Sequence, residues 1–94
     1  MATNRVLTDA VIPPGEILQE ELEVRGMSQR ALAAKTGRPM QMISELCRGK
    51  KALTADTALD LERALDIPAH VWVVLEGEYR TALARKRRKA TGTG

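Results

Sequence analysis

The segment that decides the fold of this chain is QRALAAKTGRPMQMISELCR, residues 29–48. At its fifth, ninth, fifteenth and eighteenth positions stand Ala33, Gly37, Ile43 and Leu46. Two helices that cross at about 90–120° need a small side chain such as Ala33 where they meet. A tight turn between them needs a positive φ angle, which Gly37 adopts without steric cost. Ile43 and Leu46 can anchor the second helix to the rest of the domain. The spacing therefore predicts a helix-turn-helix.

Start and stop signals on either side of this segment predict an all-α domain of five helices. No stretch alternates apolar and polar residues as a half-buried strand would. Prolines or capping hydroxyls precede the expected helices, and a glycine follows each of the first three. The expected helices run from about Gly15 to Arg25, from after Ser28 to Gly37, from Pro39 to about Arg48, from after Thr54, and from Pro68 onward.

Length and composition allow one small domain. The chain has 94 residues, of which 44% are hydrophobic and 29% charged. We expect residues 1–13 to be a flexible N-terminal segment and residues 14–84 to form the helix-turn-helix domain. Residues 85–94, which begin with five consecutive bases and end in Thr and Gly, are expected to be a basic flexible tail.

Several classes of protein are disfavoured by the same composition. The strongly apolar run at residues 71–75 is too short to cross a bilayer, and no signal peptide precedes the domain. A single cysteine cannot form an internal disulfide, which favours a reducing cytoplasm. One Cys and one His are too few for a zinc site, so no metal or cofactor is expected. The sequence shows no carboxylate pair, nucleophile–base pair or phosphate-binding glycine loop, so an enzyme is not expected.

Charge is distributed unevenly along the chain. Residues 26–53 carry a net charge of +5, between stretches of −3 at residues 15–25 and −5 at residues 54–79, and residues 80–94 carry +6. A basic centre between acidic flanks is typical of a surface that binds a polyanion. The alternative is an ordinary solvated face.

The third expected helix has two chemically different sides. When its residues are projected at about 100° each with Ile43 toward the core, Met40, Leu46 and Cys47 share that side. Gln41, Glu45 and Arg48 lie opposite, Arg38 points broadly the same way, and Met42 and Ser44 lie on the flanks.

The outer side of this helix has the chemistry of base recognition. Amide and guanidinium groups can read base edges, a carboxylate can accept from cytosine, and a methionine can touch a thymine methyl. Lysines after the helix and the N-terminus of the preceding helix can bind phosphates. The predicted DNA-binding residues are Gln29, Arg30, Arg38, Gln41, Met42, Ser44, Glu45, Arg48, Lys50 and Lys51. Alternatives remain open at two of them, since Met42 can pack against the core and Glu45 can pair with Arg38 or Arg48.

The remaining notable residues have structural interpretations. Trp72, Leu75 and Tyr79 recur at helical spacing on the last helix, which predicts a core stripe or a dimer interface. Cys47 projects inward and is expected to be a buried, unreactive thiol, and His70 is expected to lie on the surface.

Several short motifs resemble those of the HigA-type antitoxins, in the Cro/C1-like (XRE) helix-turn-helix class. The motifs are Pro14-Gly-Glu-Ile-Leu, Gly26-Met-Ser-Gln, Gly37-x-Pro, Ile43-Ser-Glu, Gly49-Lys, Thr54-Ala-Asp-Thr-Ala-Leu, Trp72 and Tyr79. The resemblance covers residues 12–83 and implies a homodimer, an operator in the protein's own promoter and a RelE-like ribonuclease toxin as partner. The family's DNA contacts would fall on Gln29, Arg38, Gln41, Met42, Ser44, Glu45 and Lys50.

Two of these positions depart from the family pattern, so base preference does not carry over. Arg38 stands where the family usually has an aliphatic residue, and Met42 where a polar or basic residue is common. The function expected is a DNA-binding antitoxin of a HigBA-like system that represses its own operon at an inverted-repeat operator. A free-standing or phage-type repressor without a toxin is the alternative. A protein-interaction adaptor that does not bind DNA is a third hypothesis.

Overall fold

A computed structural model describes residues 11–90, and every regular element in that range is a helix. The fold agrees with the expected five helices, and the predicted starts are each within one residue of those observed. The helices are α1, Pro14–Arg25; α2, Gln29–Thr36; α3, Met40–Cys47; α4, Ala55–Leu65; and α5, Ala69–Ala90. Within this range no helix is long and apolar enough to cross a bilayer.

Local capping explains where α2 and α4 begin. The hydroxyl of Ser28 accepts a hydrogen bond from the main-chain N–H of Ala31 at 3.0 Å, and the hydroxyl of Thr54 accepts one from Thr57 at 3.2 Å. Each bond satisfies a main-chain donor that has no partner inside its own helix. Gly37 ends α2 with a φ angle of 72°, which makes the tight turn into α3 possible.

One apolar core holds the five helices together. Its largest fully buried side chains are leucines of α1, α2 and α4, together with Ile43 of α3 and Trp72 of α5. Ile43 is 0% exposed and Leu46 is 2% exposed, so both anchor α3 as the sequence predicted. This packing fixes which side of α3 faces outward.

A close backbone contact joins α1 to the C-terminal end of α3. A Cβ atom placed on Gly15 would lie 1.7 Å from the carbonyl oxygen of Leu46 and 2.9 Å from the Cα of Cys47. No side chain fits in that space. The glycine of the Pro14-Gly-Glu-Ile-Leu motif is therefore required because two backbones meet there.

Trp72 corrects one expectation about the last helix. Its side chain is only 1% exposed, so it belongs to the core of the single chain and is not available at a dimer interface. The indole N–H has no hydrogen-bond partner among residues 11–90. The helical spacing of Trp72 predicted an apolar face but could not decide between core and interface.

The two ends of the domain also differ from the expected flexible segments. Residues 85–90 continue α5, because Ala, Arg and Lys favour helix and the bases complement its negative C-terminal end. Residues 11–13 are half-buried, and Pro13 lies beside Gly49. The remaining parts of the two predicted flexible segments, residues 1–10 and 91–94, lie outside the described residues.

Candidate nucleic-acid interface

The two helices of the predicted motif present the outer side of α3 to solvent. Ile43, Leu46 and Cys47 are buried on its inner side, whereas Gln41 and Arg48 are exposed on the other. Glu45 and Ser44 are half-buried beside them. The structure therefore places an amide, a carboxylate and a guanidinium along one accessible edge of a short helix.

Exposed bases extend this edge beyond the C-terminal end of α3. Lys50 and Lys51 are exposed in the loop that follows, and the main-chain N–H of Lys50 donates to the carbonyl of Glu45 at 2.9 Å. That bond holds the start of the loop against the helix. Neither lysine nor Arg48 forms an ion pair within residues 11–90, so their charges remain available to a ligand.

The side chains of Gln41 and Glu45 contact each other along the helix. The amide of Gln41 donates to the carboxylate of Glu45 at 3.4 Å, a long hydrogen bond between residues one turn apart. The alternative in which Glu45 pairs with Arg38 or Arg48 does not hold, since Glu45 has no ion-pair partner among the described residues. A contact this long and exposed leaves both groups able to bind elsewhere.

The start of α2 presents main-chain donors and one exposed base. The first N–H groups of the helix, at Gln29 and Arg30, have no acceptor within it, and Arg30 is exposed. The side chain of Gln29, by contrast, donates to the amide oxygen of Gln19 on α1 at 2.9 Å. Gln29 therefore joins α2 to α1 through its side chain, a role that sequence spacing did not indicate.

Arg38, in the turn before α3, does not point along the outer edge. Its Nε donates to Asp60 Oδ2 of α4 at 2.6 Å, and the two side chains are 34% and 20% exposed. The projection that placed Arg38 beside Gln41 considered α3 alone. Asp60 lies 22 residues further along the chain, so only the tertiary fold could reveal the pair.

Of the two methionines of α3, Met42 takes one of its two expected positions and Met40 does not. Met42 is half-buried and packs against the core, whereas Met40, expected on the inner side, is 43% exposed. Met40 occupies the first position of α3, where little of the core extends beneath it. Met40 is thus the more exposed of the two methionines, which its projection did not predict.

Cys47 and His70 have the positions that the sequence predicted. Cys47 is 7% exposed, and burial raises the pKa of its thiol above the ordinary value, so it is a poor nucleophile. His70 is exposed near the start of α5. Among residues 11–90 no group of three or more His, Cys, Asp or Glu side chains is arranged to hold a metal ion.

The outer side of α5 carries exposed apolar residues. Val71, Val73 and Val74 are 37%, 46% and 52% exposed. Leu75 and Tyr79 are half-buried at the edge of this surface. Val71, Val74, Leu75 and Tyr79 recur at spacings of three and four and form the valine face of α5, whereas Val73 lies on another side of the helix.

Comparisons with known proteins agree with this architecture. A family model described as helix-turn-helix (HTH_3) matches residues 18–72. The chain is 36% identical over 80 residues to virulence-associated protein I of Dichelobacter nodosus, a match that spans 84% of this chain and 74% of that protein.

Two solved structures are similar in both fold and sequence. An addiction-module antidote protein of the HigA family from Coxiella burnetii aligns with a TM-score of 0.80 and 33% identity, covering 86% of this chain and 89% of its own. The antitoxin HigA of Pseudomonas aeruginosa, solved with the higBA promoter, aligns with a TM-score of 0.81 and 31% identity, covering 87% and 90%.

Proposed function

This chain belongs to the helix-turn-helix family of Cro/C1-like (XRE) proteins, and we propose that it is a DNA-binding antitoxin that represses its own operon. One observation carries the DNA-binding part. The buried Ile43 and Leu46 orient α3 so that Gln41 and Arg48 face outward, next to the exposed Lys50 and Lys51. The protein would act in the cytoplasm, where its operator is accessible, and its function would not be enzymatic.

The proposed contacts divide by chemistry into readers of bases and binders of phosphates. Base readers would be the polar groups on the outer edge of α3, with Met40 or Met42 available for a thymine methyl. Phosphate contacts would come from Lys50, Lys51 and the start of α2. The proposed set is Gln29 through its main chain, Arg30, Gln41, Ser44, Glu45, Arg48, Lys50 and Lys51.

We further propose that the protein is a homodimer joined through the valine face of α5. A single α3 reads only a few base pairs, and a two-fold dimer places two such helices in successive major grooves about 34 Å apart. Val71 and Val74 supply the exposed apolar area that the buried Trp72 does not. The operator would then be an inverted repeat.

The dimer is tested by replacing one exposed valine with a polar residue of similar size. Val74→Asn should shift the sedimentation coefficient toward that of a monomer and weaken operator binding. Val73→Asn, at an exposed valine on another side of α5, should change neither. If Val74→Asn leaves a dimer intact, the interface lies elsewhere.

Similarity to two HigA proteins supports a toxin partner of the RelE-like ribonuclease class. The test is expression of the reading frame adjacent to this gene. If that frame encodes the toxin, its product alone should arrest growth, and co-expression of this chain should restore growth. A neighbouring product without toxicity would favour the alternative, a free-standing or phage-type repressor.

DNA binding itself is tested by selection from a random duplex pool, followed by titration over a range of salt concentrations. We expect an inverted repeat, and an affinity for it at least about 10³-fold above that for random duplex. Absence of duplex association at modest ionic strength would overturn the proposed function.

A further inference from the structure

One ion pair among residues 11–90 connects two parts of the chain that are distant in sequence. The other two, Glu21–Arg25 and Glu76–Arg80, each join residues one turn apart on a single helix. Arg38–Asp60 instead ties the turn before α3 to the middle of α4. The pair is therefore positioned to act on the orientation of the candidate reading helix.

The pair also distinguishes Arg38 from the other bases of the basic segment. Residues 26–53 contain six bases, and within the described part of the chain only Arg38 forms an ion pair. The main chain of Arg38 is fixed as well, because its N–H donates to the carbonyl of Ala33 at 3.2 Å and lies 3.3 Å from the hydroxyl of Thr36. Arg38 is thus held through both its backbone and its side chain.

The position of Asp60 determines which way the guanidinium is drawn. Asp60 belongs to α4, which packs against α2 and α5. None of the predicted DNA-binding residues lies on α4. A guanidinium bonded to Asp60 is therefore held at a helix outside the proposed interface.

We propose that Asp60 withholds Arg38 from the duplex, so that Arg38 is a positioning residue that clamps the start of α3 and makes no phosphate contact. This inference rests on the proposed DNA binding. It has a consequence for affinity. Without Asp60, a sixth free base would neutralise an additional phosphate on any sequence, which would strengthen random and operator binding alike.

The salt dependence of DNA binding measures this directly, because each phosphate contact contributes about 0.9 to the slope of log K against log salt concentration. Arg38→Met keeps the length of the aliphatic stem and removes the charge. We expect its slope to equal that of the unmodified protein. A slope smaller by about 0.9 would mean that Arg38 binds a phosphate, with Asp60 merely orienting it, and would overturn the proposal.

The complementary variant is Asp60→Asn, which frees the guanidinium while keeping the side-chain shape. The slope should increase by about 0.9 on operator and random duplex alike. Glu62→Gln is the matched control, since it removes the same charge from an exposed position of α4 without touching Arg38. Its slope should stay unchanged.

A double variant separates release of Arg38 from a general change in charge. Arg38→Met combined with Asp60→Asn should return the slope to that of the unmodified protein. An increase that persists in the double variant, or an unchanged slope in Asp60→Asn, would overturn the proposal. If Asp60→Asn does not fold, the slope of Arg38→Met decides alone. Failure of the unmodified protein to bind DNA would instead reject the proposed function.

Discussion

The two ends of α3 are held in place by different kinds of interaction. At the N-terminal end a side chain makes the contact, because Arg38 is bonded to Asp60 at 2.6 Å. At the C-terminal end the backbone makes the contact, because Gly15 meets the carbonyl of Leu46 with no space for a Cβ atom. Where backbones make the contact, the neighbouring side chains stay free for a ligand. Where a side chain makes it, that side chain is occupied.

The largest effect should come from breaking the backbone contact at the C-terminal end. Gly15→Ala places a Cβ 1.7 Å from a carbonyl oxygen, so α1 or α3 must shift. We expect a loss of about 3 kcal/mol or more in the free energy of unfolding, measured by urea denaturation. Gly77→Ala is the control, since nothing lies within 4 Å of its added Cβ and alanine favours helix. A Gly15→Ala variant as stable as the unmodified protein would contradict the contact.

The next effect concerns Gln41, an exposed side chain on the outer edge of α3. Gln41→Ala should weaken binding to the selected operator by about 1–3 kcal/mol and change binding to random duplex little. Titrations followed by fluorescence anisotropy measure the affinities for both duplexes. Equal losses on the two duplexes would mean that α3 does not read sequence.

A smaller effect, which does not depend on the DNA sequence, is expected from the loop after α3. Lys50→Ala should weaken binding to every sequence alike and reduce the salt slope by about 0.9, because it removes one phosphate contact. Arg63→Ala, an exposed base on α4, is the control and should leave the slope unchanged. A loss confined to the operator would assign Lys50 to base reading.

The smallest effect should come from removal of the Gln29 side chain. Gln29→Ala removes a part-buried hydrogen bond to Gln19, and we expect a loss of about 0.5–1.5 kcal/mol in the free energy of unfolding. Operator affinity should change little, because the main-chain N–H groups of α2 remain. A large loss of affinity at unchanged stability would show that the Gln29 side chain contacts DNA.

Most of the fold could be predicted because its signals are local. Ser28 and Thr54 cap helices by hydrogen bonds that span three residues, and Gly37 ends α2 through its own φ angle. Each of these signals is complete within one turn of helix. The inward direction of Ile43 follows from periodicity in the same way.

The structure differs from the sequence predictions where the position of a residue depends on an element that is distant in sequence. Arg38 was placed by projection of one helix, but its partner is Asp60 on another. The burial of Trp72 and the exposure of Met40 depend on how far the core extends beneath each end of a helix. The end of α4 is at Asp66, which has a φ angle of 61°. Because this residue is not a glycine, the sequence does not mark the end of the helix. Helical spacing predicts a face but does not say what covers it.

The account depends most directly on contact between the outer edge of α3 and a duplex, and the chain contains its own probes. Its three glutamines, Gln19, Gln29 and Gln41, give separate side-chain amide signals in a nitrogen-15 NMR spectrum. On addition of the selected operator, the signals of Gln41 should shift strongly while those of Gln19 stay nearly fixed. Signals of Gln41 that do not move at saturating DNA would contradict the account.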